Sequence, residues 1–137
     1  MDKNKANILV IDDDPDFLDA ISSILESAHY NVSTALDPKE GKEKIYSEKP
    51  DLILLDIMMD SLFDGFSLCH SIKTSKEFNQ TPVIFVSAVK EQTGSRFQFK
   101  GEEQGMKGPD DYIDKPVNPD DLLSRIEKLL GQFHWNR

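Results

Sequence analysis

The sequence predicts an α/β domain with a doubly wound, five-stranded parallel sheet, strand order 2-1-3-4-5, and helices on both faces. Three observations carry this expectation. Short unbroken apolar runs such as Leu52-Ile53-Leu54-Leu55 fit strands buried on both faces, as parallel strands are. Segments of helical periodicity alternate with those runs, and right-handed crossovers place successive helices against the sheet. The runs also end abruptly on polar residues, Asp12, Asp56 and Ser87, as strands do where they leave a core for a ligand-binding edge.

Taken in order, Asn7-Ile8-Leu9-Val10-Ile11-Asp12 reads as the first strand. Asp14 followed by Pro15 is a helix start, a capping carboxylate before a proline at the first helical position. Phe17, Leu18, Ile21, Ile24, Leu25 and Ala28 then recur at helical spacing, so the first helix spans about 15 to 28. Residues 30 to 35, with Val32 and Thr34, form a modest second strand. Asp37-Pro38 repeats the start signal for a second helix reaching Glu48. That helix is weaker, because it is charged, contains Gly41 and has little apolar face beyond Ile45 and Tyr46. After the third strand, residues 57 to 64 read as a loop. A third helix is expected from Gly65 to about Thr74, with Phe66, Cys69 and Ile72 as its inward face, which makes Cys69 a core residue. Val83-Ile84-Phe85-Val86-Ser87 is the fourth strand. The glycines between 88 and 110 suggest only a short or irregular fourth helix. Asp111-Tyr112-Ile113-Asp114 is a short fifth strand, and Asn118-Pro119 caps a last helix ending at Gly131. The expected domain is 6 to 131, with short tails at 1 to 5 and 132 to 137. Phe133 and Trp135 either pack on the last helix or extend freely.

At 137 residues the chain can bury roughly 70% of its unfolded surface in one core. Hydrophobic residues at 38% and charged residues at 30% describe a water-soluble domain, and no apolar run nears the roughly 20 residues of a membrane span. The polar opening Met1-Asp2-Lys3-Asn4-Lys5 lacks the apolar segment of a secretory signal, so a cytoplasmic location is expected. A single cysteine excludes an internal disulfide. A net charge of -9 argues against direct nucleic-acid or membrane partners and towards protein partners.

In the expected strand order, Asp12, Asp13, Asp56, Ser87 and Lys115 gather at one sheet edge. Three crowded carboxylates repel one another unless a cation lies among them, and oxygen ligands completed by water suit Mg2+. A carboxylate in such a site can attack a phosphoryl group in line to give an aspartyl phosphate. The remaining need is charge neutralisation on the phosphoryl oxygens, which the metal, the Lys115 ammonium and the Ser87 hydroxyl can share. Any one of these residues alone would be an ordinary strand end or helix cap. Jointly they would be a coincidence at four strand ends.

The motifs Ile8-Leu9-Val10-Ile11-Asp12-Asp13-Asp14-Pro15, Asp51 to Met59, Asp64-Gly65, Val86-Ser87-Ala88 and Asp111-Tyr112-Ile113-Asp114-Lys115-Pro116 resemble the receiver domain of two-component response regulators, a CheY-like, flavodoxin-like (βα)5 fold. The resemblance implies that Asp56 is the phosphoacceptor and that Asp12 and Asp13 hold Mg2+ or Mn2+ with Asp56 and the Met58 backbone carbonyl. It implies that Ser87, its neighbour Ala88 and Lys115 read the phosphoryl group, that Tyr112 is the switch aromatic, and that the Lys115-Pro116 bond is cis. The implied donor is a histidine kinase or histidine phosphotransfer protein, and the implied output is another protein, as for a free-standing receiver. Such a domain is not an enzyme on a separate substrate; it promotes its own phosphorylation and dephosphorylation. Two departures stand out. Asp60 replaces the family's usual proline, with one extra residue before Asp64-Gly65, and the stretch between Ser87 and Lys115 is several residues longer than usual.

Two rivals are weaker. An Mg-dependent aspartyl-phosphate phosphohydrolase would carry a second acid two residues after its nucleophile, where this chain has Met58, and a phosphorylation-silent scaffold would lack Asp12, Asp13 or Lys115. His29, His70 and His134 have no metal-ligand spacing. Phe97 and Phe99 read either as a docking ridge or as loop anchors.

Overall fold

Two-residue alternation along the strands divides the apolar residues between two cores, and the helices follow from that division. In the computed structural model, which describes residues 5–57, 62–87 and 107–132, the strands are β1 (Asn7–Ile11), β2 (Asn31–Ala35), β3 (Leu52–Asp56), β4 (Val83–Ser87) and β5 (Asp111–Asp114). Ile8, Val10, Leu52, Leu54, Ile84, Val86 and Ile113 face one side. Leu9, Ile11, Ile53, Leu55, Val83 and Phe85 face the other. The first set is covered by helices α1 (Pro15–Ser27) and α4 (Pro119–Gln132), through Leu18, Ile21, Leu25, Leu122 and Ile126. The second set is covered by α2 (Pro38–Glu48) and α3 (Leu62–Thr74), through Ile45, Phe66, Leu68, Cys69 and Ile72. The sheet is wholly parallel in the order β2-β1-β3-β4-β5, as expected.

The helix starts use the expected chemistry. The Asp14 carboxylate accepts from the Asp16 N–H at 3.0 Å, and the Asn118 side chain accepts from the Asp121 N–H at 2.9 Å. At α2 the Asp37 carboxylate accepts from the Glu40 N–H at 2.8 Å, while Glu40 reaches back to the Leu36 N–H at 2.9 Å. Each such cap is worth about 1 kcal/mol. Helix α1 stops where Tyr30 N–H donates to the Leu25 carbonyl at 3.1 Å and His29 N–H to the Glu26 carbonyl at 2.9 Å. His29 sits between them at φ 72, a left-handed position that glycine usually takes.

Three expectations change. Helix α3 starts at Leu62, inside the stretch read as loop, so Gly65 lies within the helix instead of opening it. Within the helix Gly65 permits close packing: a Cβ on it would lie 2.9 Å from the Ile57 Cα and 3.2 Å from its Cβ. Gly41, read as a weakness of α2, has a similar use, since a Cβ there would meet Ile11 Cδ1 at 2.5 Å. Helix α4 passes through Gly131 to Gln132, and among the described residues no neighbour lies within 4 Å of a Cβ at Gly131. The expected fourth of five helices, Phe97 and Phe99 fall in 88–106, and Phe133, His134 and Trp135 in the tail, all outside the described residues.

Lys73 and Asp110 form a clamp at the approach to β5. Lys73 Nζ lies 2.6 Å from Asp110 Oδ2 and 2.8 Å from the Thr81 carbonyl, while the same Asp110 oxygen accepts from the Val83 N–H at 2.8 Å. This ties α3, the start of β4 and the approach to β5 together.

Two predictions follow from the packing. Gly65→Ala should lower stability by up to about 2 kcal/mol in urea unfolding, because overpacking against fixed backbone outweighs the gain of about 1 kcal/mol in helix propensity. Cys69 is fully buried, and burial pushes its thiol up to about 12, with the Lys73 ammonium pulling the other way. Iodoacetamide at pH 8 should therefore spare Cys69 in the native protein and alkylate it in urea. Since the unfolded thiol ionises near its ordinary value of 9.0, stability from the protonated thiol is complete below that pH and is lost as the pH rises towards about 12.

Candidate functional site

Register brings the first two acids together. Val10 pairs with Leu54 and Ile11 with Leu55 across β1 and β3, so Asp12 and Asp56, each the next residue, stand side by side at the strand ends. Both are buried, at 0% and 4% exposure, whereas Asp13 is exposed at the entrance. The three carboxylates each offer an oxygen within 4.8 Å of the others. Backbone holds this arrangement in place. Asp12 N–H donates to the Ala35 carbonyl at 3.0 Å, and Asp12 Oδ1 accepts from the Asp14 N–H at 2.9 Å. Asp14 itself serves as the cap of α1, as its sequence context suggested.

Lys115 follows directly on β5 and closes the cluster. Its Nζ lies 3.0 Å from Asp12 Oδ2 and 3.7 Å from Asp56 Oδ2, and 4.2 Å from the centroid of the Phe17 ring. The Lys115-Pro116 peptide bond is cis. Ser87 ends β4 as a buried residue, one position past Val86, the register partner of Asp56. Its carbonyl accepts from the Lys115 N–H at 2.8 Å. Tyr112 pairs with Phe85 across β4 and β5, and the two rings meet edge to face at 5.9 Å. Tyr112 therefore stands on the α2–α3 side of the sheet, half-buried against that core. Met58 and Ala88 lie outside the described residues.

Asp12, Asp13, Asp56 and Lys115 thus converge, and Ser87 and Tyr112 stand on the adjoining strands. Among the described residues, one ammonium against three carboxylates leaves a formal excess of two negative charges, partly buried. A divalent cation would cancel that excess, and an oxygen-only donor set with an exposed member open to water suits Mg2+ or Mn2+. The cluster can hold a hard cation and expose a carboxylate oxygen beside it. Phe17 was read from the sequence as part of the helical apolar stripe; its place over Lys115 depends on a residue far along the chain and left no local signal.

Comparison with known proteins identifies the family of this fold. The sequence profile of the response regulator receiver domain matches residues 8–127. The chain is 36% identical over 124 residues to the DNA-binding dual master transcriptional regulator RpaA of Synechocystis, covering 90% of this chain and 48% of that protein. It is 32% identical over 129 residues to the heme response regulator HssR of Staphylococcus aureus, covering 93% of this chain and 53% of the relative. The chain thus spans about half the length of these curated relatives. Among solved structures, a CheY-like response regulator receiver domain from Methanospirillum hungatei superposes with a TM-score of 0.75 at 30% identity, covering 95% of this chain and 97% of that one. A response regulator from Chloroflexus aurantiacus gives a TM-score of 0.79 at 25% identity, covering 93% and 98%. With its fold, its cluster of strand-end acids and this match over nearly its whole length, the chain belongs to the response regulator receiver domain family.

Proposed function

We propose that the domain receives a phosphoryl group on Asp56 from the phosphohistidine of a histidine kinase or histidine phosphotransfer protein, and so switches a protein-binding surface. The observation that carries this reading is the convergence of the Asp12, Asp13 and Asp56 carboxylates within 4.8 Å beneath the Lys115 ammonium. In this reading Asp12, Asp13, Asp56 and the Met58 carbonyl would hold Mg2+ or Mn2+, which when bound supplies positive charge beside the incoming phosphoryl oxygens. An Asp56 oxygen attacks phosphorus in line, forming an O–P bond as the N–P bond to the donor imidazole breaks. The Lys115 ammonium moves from carboxylate to phosphoryl oxygen, and the Ser87 hydroxyl, beside Ala88, donates to another.

The new group adds about -1.5 to -2 charge at a place already bounded by Ser87 and Lys115. Tyr112 shares its sheet face with Phe85 next to Ser87's strand end, which supports its assignment as the residue that transmits the change. The domain promotes its own phosphorylation and dephosphorylation and has no separate substrate. Direct contact with nucleic acid through this segment is disfavoured by its net charge of -9, so its output is a protein surface, either in another chain or in an effector unit. Among the described residues no helix is long and apolar enough to cross a membrane, in keeping with a cytoplasmic signalling role.

Acetyl phosphate with Mg2+ should add the mass of one phosphoryl group to the protein by intact mass spectrometry, and both Asp56→Asn and EDTA should abolish the gain. Continued turnover of phosphate esters would instead identify a hydrolase, and absence of an adduct with any donor a silent scaffold. Lys115→Ala should still bind Mg2+ in a fluorescence or calorimetric titration, yet lose the change in partner binding on phosphorylation. An unaltered partner response in that variant would remove Lys115 from the switch.

A further inference from the structure

We propose that Phe17 is a positioning residue for Lys115: its ring face holds the ammonium at the rim of the carboxylate cluster and so sets how fast Asp56 takes a phosphoryl group. This rests on the reading of Asp56 as phosphoacceptor. Phe17 lies in the first turn of α1, whose start is fixed by the Asp14 cap and Pro15, and its side chain is partly buried against the α1–α4 core. The ring therefore has a defined place. Lys115 Nζ lies 4.2 Å from its centroid, well within the roughly 6 Å over which an aromatic quadrupole attracts a cation.

The ammonium's other neighbours pull it one way. Asp12 Oδ2 at 3.0 Å is within hydrogen-bond distance, and Asp56 Oδ2 at 3.7 Å lies beyond it. A lysine is a flexible point charge, and two carboxylates alone would draw it into the cluster, onto the oxygen that must attack phosphorus. The ring supplies a second attraction from outside the cluster, without offering a competing oxygen acceptor. It also covers the lysine, whose side chain is only 22% exposed. Lys115 is thus held at ion-pair distance from Asp56 Oδ2 but outside hydrogen-bond distance of it, close enough to reach a phosphoryl oxygen.

Phe17→Leu keeps an apolar side chain against the core and removes the π-face. With acetyl phosphate and Mg2+, its second-order rate constant for phosphorylation should fall about two- to fivefold, the effect of one cation–π contact. Phe17→Tyr should restore the rate, and in a Lys115→Met background Phe17→Leu should have no further effect. A second readout needs neither donor nor metal: the ring current should shift the Lys115 Hε protons upfield in NMR spectra of the labelled protein, and the shift should vanish in Phe17→Leu. Equal rates for wild type and Phe17→Leu, or the same loss in the Lys115→Met background, would overturn the positioning role. Lack of the upfield shift would overturn the contact itself. A shifted Lys115 signal in a wild-type protein that takes up no phosphoryl group would mark failure of the Asp56 reading, and the rate-setting role would fall with it.

Discussion

The pairing of the Asp12 and Asp56 carboxylates with the Lys115 ammonium makes this sheet edge tenable. A parallel sheet buried on both faces forces strand ends together, and here register forces two acids to be neighbours at nearly complete burial. Isolated ionised groups are expensive in such a place, and removing one partner of a buried pair leaves the other uncompensated. Lys115 can meet that demand only because β5 is the neighbour of β4 and ends level with Ser87. The position of the fifth strand, and through it the Lys73–Asp110 clamp that fixes the approach to it, is therefore an electrostatic requirement as much as a packing one.

The site accepts this cost without fully offsetting it. One ammonium does not neutralise three carboxylates, and the aromatic ring over Lys115 occupies some of the ammonium's capacity. Packing elsewhere is correspondingly close. The helices approach the sheet closely at Gly41, where a Cβ would press on the Ile11 side chain, and at Gly65, where it would meet the backbone of Ile57, directly after Asp56. The backbone that carries Asp56 is thus braced from α3. A polar, under-neutralised pocket set on a rigid support is the usual division between a functional site and its scaffold.

Much of this was legible in the sequence because the signals were local. The strands announce themselves as apolar runs of a parallel sheet, the helix starts as Asp-Pro and Asn-Pro pairs, and the acids by where the runs stop. What was misread or missed depended on distance. Residues 57 to 64 read as loop with a helix from Gly65, whereas the helix begins at Leu62 and Gly65 lies inside it, close against Ile57. Gly41 read as a loss of helix propensity, whereas it is a point of close approach to Ile11. Phe17 read as one more residue on an apolar stripe, and only the tertiary arrangement sets its ring against a lysine from the other end of the chain. Periodicity reports which face a residue occupies and is silent about what faces it.

The hydrogen bond from the Lys115 N–H to the Ser87 carbonyl joins the two residues proposed to read the phosphoryl group. They belong to different strands, yet one cannot shift far along the sheet edge without straining the other's backbone. The two strand ends that carry the hydroxyl and the ammonium are therefore anchored to each other. In the proposed function, the effects of altering the two residues would be coupled instead of additive.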